Sequence, residues 1–167
     1  SYTNDQNLID NFHKKVRRGR SAALNMVITE TGAGKAVGQV LPELQGKLTA
    51  NAVRVPTPNV SLAIINLRFA KDITLEELND FLRQKAFHSD LKEQIGFTNS
   101  PEVVSTDFVG DRHAGIIDSA ATIVNGNKCV LYVWYDNEFG YTAQLLGLAK
   151  EMVGLTYQRY PNFSEST

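Results

Sequence analysis

The chain has 167 residues, with 17 Lys and Arg against 18 Asp and Glu and a formal net charge of -1. Overall charge therefore gives no reason to expect a nucleic-acid or membrane partner, and any such partner would have to be met by a local patch. The single cysteine, Cys129, excludes an internal disulfide framework and fits a reducing, cytoplasmic setting, and no apolar run approaches the roughly 20 residues of a membrane span.

Positions 1–23 lack steady periodicity and read as a long irregular loop, a length at which loops in compact domains are usually functional. They carry the basic run Lys14-Lys15-Val16-Arg17-Arg18-Gly19-Arg20, five positive charges in seven residues. Such a run is a solvated face by default, a nucleic-acid patch, or a phosphate contact. No aromatic residues are interleaved with the charges to stack on bases, which disfavours nucleic acid. The phosphate reading gains from position, because Arg18 and Arg20 lie about a dozen residues before Thr31. The first residue is Ser1, and the opening reads as mid-domain sequence, so the chain is expected to be a piece of a longer protein.

In Thr29-Glu30-Thr31-Gly32-Ala33-Gly34-Lys35, hydroxyls and glycines stand before the apolar spacing Ala36, Val37, Val40, Leu41. This predicts a helix over 31–41. A turn at Gln45-Gly46 and a strand over 48–54 follow. The helix climbs roughly 16 Å and the strand covers roughly 23 Å. If the strand runs antiparallel to the helix, Arg54 returns beside the helix amino end. Backbone N–H groups, the Thr31 hydroxyl and a guanidinium would then form an anion site. The bland alternative is that Gly32 and Gly34 serve the turn and Arg54 pairs with an ordinary carboxylate. A phosphate-binding P-loop fits poorly, since Ala36 follows Gly34-Lys35. A dinucleotide fingerprint fails because no strand leads directly into these glycines.

A second strand is expected over 59–69. Thr74-Leu75-Glu76-Glu77 is a capping box, with Ile73 and Leu78 as its hydrophobic staple, and it opens a helix with Leu75, Leu78, Phe81 and Leu82 on one stripe. A further helical turn or two over 89–95 and an extended 102–108 come next. The β-rich runs 114–124 and 128–135 are separated by Asn125-Gly126-Asn127, a hairpin signal. The segment Trp134-Tyr135-Asp136-Asn137-Glu138-Phe139-Gly140-Tyr141 leads into a terminal amphipathic helix with Leu145, Leu148 and Met152. Taken alone, Asp136 or Asn137 reads first as a helix cap, and the exposed cluster of Asp136, Asn137 and Glu138 at a strand's carboxyl end is the alternative, a ligand contact. The order predicts an α+β fold: a mixed, largely antiparallel sheet with helices packed on one face, preceded by a long irregular loop. Cys129 sits inside an apolar strand and reads as a small inert hydrophobe, and the widely spaced His13, His88 and His113 support no metal site.

Several of these stretches together carry a resemblance. Ser1-Tyr2-Thr3-Asn4-Asp5-Gln6, Thr31-Gly32-Ala33-Gly34-Lys35-Ala36-Val37-Gly38, Leu41-Pro42-Glu43-Leu44-Gln45-Gly46-Lys47-Leu48, Arg54-Val55-Pro56-Thr57-Pro58-Asn59-Val60-Ser61 and the segment from Trp134 to Tyr141 resemble phosphorylating glyceraldehyde-3-phosphate dehydrogenase, in its catalytic, carboxyl-terminal part. The likeness runs from Ser1 to about Val153. It implies a catalytic-domain part over 1–156, with 1–24 as the loop bordering cofactor and neighbouring subunit and 137–153 as the terminal helix, and a tail over 157–167. It further implies that Thr3 and Arg54 hold the substrate's own phosphate, and that Arg18, Thr31 and Gly32 bind the inorganic phosphate that attacks the thioester. Asn137 would hydrogen-bond the nicotinamide carboxamide and Tyr141 would border its ring.

By the same resemblance the parent enzyme is a cytoplasmic homo-tetramer of glycolysis and gluconeogenesis that oxidises glyceraldehyde 3-phosphate with NAD or NADP and inorganic phosphate. The family's catalytic cysteine and histidine, and its dinucleotide-binding domain, have no match in these residues, so the chain alone is expected to be inactive and to bind no cofactor. A related dehydrogenase acting on erythrose 4-phosphate is the alternative within the class, and an RNA-binding module using the basic loop is the alternative outside it. Glu30 departs from the family, which usually has a hydroxyl or small residue there. A carboxylate pointing into that site would repel phosphate.

Overall fold

The computed structural model describes residues 1–155, and the 157–167 tail lies outside them. The chain divides into two units, Ser1–Asn59 and the residues from Val60 onward.

The first unit opens with an irregular loop interrupted by one 3-10 turn, Val16–Gly19. Its own backbone closes it: Asn7 N–H donates to Arg18 O at 3.0 Å, Asn11 N–H to Gly19 O at 2.9 Å, and Ala22 N–H to Asn7 O at 2.9 Å. Position 19 admits only glycine, because a Cβ there would stand 2.4 Å from the Asn11 carbonyl oxygen. Strand β1 (Val27–Thr29), helix α1 (Ala33–Val40) and strand β2 (Ala52–Arg54) follow. The two strands pair antiparallel, with Val27 opposite Arg54 and Thr29 opposite Ala52.

Both elements are shorter than the sequence suggests. Leu41 precedes Pro42 and leaves helical geometry at φ -121°, so α1 stops at Val40 and a 3-10 turn, Pro42–Leu44, takes over. The expected strand over 48–54 shrinks to Ala52–Arg54, because β1 itself lasts only three residues before the chain turns into α1. Positions 48–51 consequently have no ladder to join.

The second unit contains strand β3 (Ser61–Arg68), helix α2 (Leu75–His88), strands β4 (Ile95–Thr98), β5 (Gly115–Asp118), β6 (Ile123–Asn125) and β7 (Lys128–Tyr135), and helix α3 (Phe139–Met152). Its sheet runs β3-β7-β5-β4, with β6 also on β7, and every pairing is antiparallel except β4 with β5. This is the mostly antiparallel α+β sheet expected. The Asn125-Gly126-Asn127 turn closes β6 onto β7, with Gly126 at φ +59°.

The capping box forms as read: Glu77 N–H donates to Thr74 Oγ1 at 3.1 Å, and Thr74 N–H donates to Glu77 Oε2 at 2.8 Å. Helix α2 thereby presents Leu78 and Leu82 to Cys129, Leu131 and Val133 of β7. Alternation sends Trp134 to the other face, where it stacks on Phe108 at 5.4 Å beside Val60 and Ile116.

Three local expectations change. The run over 114–124 is two strands, split where Asp118 Oδ1 accepts from Ala121 N–H at 3.1 Å and Thr122 Oγ1 donates to Asp118 O at 2.9 Å. The extended 102–108 contains a 3-10 turn, Ser105–Phe108, where Asp107 Oδ2 accepts from Val104 N–H at 2.7 Å. Positions 89–94 form turns, and β4 begins at Ile95. Leu145, Leu148 and Met152 of α3 are exposed. Among the described residues no helix is long and apolar enough to cross a membrane.

Candidate functional site

The polar centre of the first unit forms around Arg54. Its position at the end of β2, followed by Val55-Pro56, fixes the backbone from which the guanidinium projects. Nη1 donates to Asp5 Oδ1 at 2.6 Å, to Thr3 Oγ1 at 2.7 Å and to Gln6 Oε1 at 3.3 Å. Burial pulls the guanidinium below its ordinary pKa, a range in which arginine still stays charged at neutral pH. Arg18 donates to the other oxygen of the same carboxylate, Asp5 Oδ2, and the Thr3 hydroxyl donates to Asp5 Oδ1. The side chains of Arg18 and Arg54 are only 14% and 17% exposed, against 42% for Asp5. Two mostly buried guanidiniums therefore share one carboxylate at the surface. Beside them Gln6 is 7% exposed, and its Nε2 is a buried donor with no partner.

Arg18 also belongs to a cavity of about 820 Å³, whose polar wall is Lys15, Arg17, Arg18, Thr29, Glu30 and Thr31. Three cations face one carboxylate there, so its field is positive. Thr31 Oγ1 accepts from Ala33 N–H at 3.2 Å at the start of α1. Gly32 is the N-cap of α1 and makes no side-chain cap, so the first turn is served by backbone alone.

This geometry corrects the expected convergence. Arg54 sits opposite Val27, five residues before Gly32 along the chain, and not beside the amino end of α1. The reason is that Arg54 returns along β1, the strand that precedes the helix, so the short ribbon sets Arg54 and Thr29 at its opposite ends. The structure groups Thr3 with Arg54 and, separately, Arg18 with Thr31, and Asp5 joins the two groups. The bland alternative is also partly realised, since Arg54 does pair with a carboxylate. Sequence reasoning missed Asp5 and Gln6. Both stand in the quoted opening motif, and an acid two residues after Thr3 was the available signal.

In the second unit, Asp136 is 1% exposed and accepts from Gly110 N–H at 2.8 Å, Glu138 N–H at 2.9 Å and Phe139 N–H at 2.8 Å. Its carboxylate thus serves the backbone at the start of α3, whose N-cap residue is Glu138. Asn137 Oδ1 accepts from the Ser61 hydroxyl at 3.2 Å, which orients the amide. Tyr141 lies in the first turns of α3 and is 70% exposed. Cys129 is buried, burial pushes its thiol up, and a hydrogen bond from the Leu67 backbone opposes this. His113 Nδ1 is 2.7 Å from Asp111 Oδ1. Among the described residues no group of three or more His, Cys, Asp or Glu could hold a metal ion.

By fold the chain is an α+β domain, and by its polar centre it is one that gathers guanidiniums on a loop. It matches the family described as glyceraldehyde 3-phosphate dehydrogenase, C-terminal domain, over residues 1–137. It is 64% identical over 161 residues to a glyceraldehyde-3-phosphate dehydrogenase-like protein of Pseudomonas aeruginosa, covering 96% of this chain and 35% of that protein. To glyceraldehyde-3-phosphate dehydrogenase of Borreliella burgdorferi it is 45% identical over 156 residues, covering 92% and 46%. Glyceraldehyde-3-phosphate dehydrogenase 1 of Bacillus subtilis is 46% identical over 150 residues, covering 89% and 44%. The chain belongs to the glyceraldehyde 3-phosphate dehydrogenase C-terminal domain family. It spans less than half the length of these relatives.

Proposed function

We propose that this chain is the phosphate-binding and cofactor-edge part of a dehydrogenase that oxidises glyceraldehyde 3-phosphate to the acyl phosphate with an NAD-type cofactor and inorganic phosphate, in a cytoplasmic tetramer. The observation that carries this reading is the pair of mostly buried guanidiniums, Arg18 and Arg54, held on one exposed carboxylate beside Thr3. Buried cations held this way are already positioned for an oxyanion, and the orphaned Gln6 Nε2 adds a donor with nothing to meet.

The roles divide along the two groups. Thr3 and Arg54 hold the phosphate of the aldehyde, and Arg18 and Thr31, with the Gly32 backbone at the start of α1, hold inorganic phosphate. Each charge-assisted hydrogen bond contributes about 1.5–3 kcal/mol, and the helix terminus adds up to about 1 kcal/mol. Asn137 and Tyr141 form the edge that meets a nicotinamide. An amide whose Oδ1 is pinned by Ser61 suits a carboxamide partner, and an exposed ring at the start of α3 suits the flat face of the cofactor. A bound nicotinamide would supply the hydride acceptor. Cys129 takes no part, because a buried thiol with a raised pKa supplies no thiolate. The residues of this chain bind and orient phosphates.

The RNA reading fares worse. Arg20 Nε donates to Asp10 Oδ1 at 3.3 Å. One of the five cations of the basic run is thus paired inside the loop, and no aromatic residue stands among the five to stack on bases.

The test is a sulfate and phosphate titration of the chain followed by backbone amide shifts. Both anions are expected to move Thr3, Arg18 and Thr31, and Arg54→Met is expected to weaken the response at Thr3 by roughly ten- to a hundredfold, the loss of one charged contact. Unchanged shifts at high anion concentration would reject the reading.

A further inference from the structure

One carboxylate stands among the cations of the cavity. Glu30 lines it together with Lys15, Arg17 and Arg18, and among the described residues it forms no ion pair. Its neighbour on the same wall, Thr29, is 9% exposed and keeps Oγ1 buried without a hydrogen-bond partner. A buried hydroxyl with no partner is costly unless something meets it, and that something must fit beside a negative charge.

We propose that Glu30 sets the charge selectivity of this pocket: it narrows the advantage that the three cations would otherwise give a doubly charged oxyanion over a singly charged one. The inference rests on the reading of the cavity as an anion pocket. Repulsion from a fixed carboxylate scales with the charge of the ligand, so the dianion bears twice the penalty of the monoanion. Thr31, on the same wall, adds a neutral hydroxyl, whose interaction with an anion varies less with ligand charge than that of a full charge does. The residue that discriminates is therefore the carboxylate. A pocket of this kind still prefers the more highly charged anion, but by a smaller margin than its three cations alone would set.

Sulfate and perchlorate test this well, being tetrahedral anions of fixed charge, two and one. The 167-residue chain and its Glu30→Gln variant are titrated with each at low ionic strength, where screening is weak, and the amides of Arg18, Thr31 and Ala33 are followed. Glu30 is exposed, so the variant is expected to keep its spectrum elsewhere. Removing a unit charge from the wall of the cavity, in a water-like medium, should tighten sulfate up to roughly tenfold and perchlorate by about the square root of that factor, roughly threefold. Equal factors for the two anions, or no change for either, would overturn the proposal while leaving the anion pocket intact. Failure of both proteins to bind either anion would reject the pocket itself, and the proposal with it.

Discussion

The two units hold their polar groups in opposite ways. In the second unit Asp136 is 1% exposed and accepts from three backbone N–H groups, all within the loop it closes and the helix it caps. In the first unit Asp5 is 42% exposed and meets two guanidiniums and a hydroxyl, with Arg54 reaching it across 49 positions of sequence. One carboxylate is locked to backbone and has no capacity left for a ligand. The other is a surface group whose partners are charged side chains, which an incoming anion can engage. The difference separates a structural acid from one at a binding site, although both are aspartates with several partners.

The largest expected effect breaks the structural half of that contrast. Asp136→Ala leaves the N–H groups of Gly110, Glu138 and Phe139 without their acceptor, two of them at the start of α3. The second unit should lose about 3–4 kcal/mol, read as a fall in the urea midpoint. A loss under about 1 kcal/mol would mean that water replaces the carboxylate easily and that the two aspartates are not so different.

The same contrast explains what could be read from sequence. The capping box at Thr74 and Glu77, the hairpin at Gly126 and the alternation of β7 are local patterns, and each appears where its residues stand. The polar centre of the loop unit is not local. Thr3, Asp5, Gln6 and Arg54 come together through a two-stranded ribbon whose strands are three residues each, too short to produce a periodic signal. The helix expected over 31–41 is therefore legible to within two residues, whereas of the strand over 48–54 only the last three residues form. The family resemblance implies Thr3, Arg18, Thr31, Gly32, Arg54, Asn137 and Tyr141, where spacing alone reaches the helix start at Thr31-Gly32 and Arg54, with Arg18 and Arg20 within loop reach. Asp5 is an acid, and electrostatics alone gives no reason to place a carboxylate beside a phosphate site.

A second, smaller effect sharpens the structural half. Val60 is buried with Phe108 and Ile116 yet holds φ +67°, where a β-branched residue is strained. Val60→Ala should cost about 2 kcal/mol through lost burial. Val60→Gly removes the same methyls but relieves a left-handed penalty of about 1–2 kcal/mol, so it should be no worse than alanine. In an ordinary strand glycine would rank below alanine, and finding that order here would show that packing alone governs the site.

The smallest effect concerns the cap of α2. Thr74→Ala removes the Oγ1 that accepts from Glu77 N–H at 3.1 Å and should cost about 1 kcal/mol at neutral pH. The Glu77 carboxyl is held below the usual carboxylate range, first by the Thr74 backbone N–H and then by its hydroxyl. A pKa lowered on folding means that the ionised form is favoured in the native state. Its stabilisation is then fully present above the unfolded value, about 4.3, and fades as pH falls through the folded one. Alanine keeps the backbone N–H but not the hydroxyl, so part of the acid dependence should persist. Urea midpoints for the two proteins should differ most near neutral pH and draw together below about pH 4. A gap that stays constant with pH would assign the whole effect to the threonine as acceptor, and would leave the glutamate of the box as a bystander.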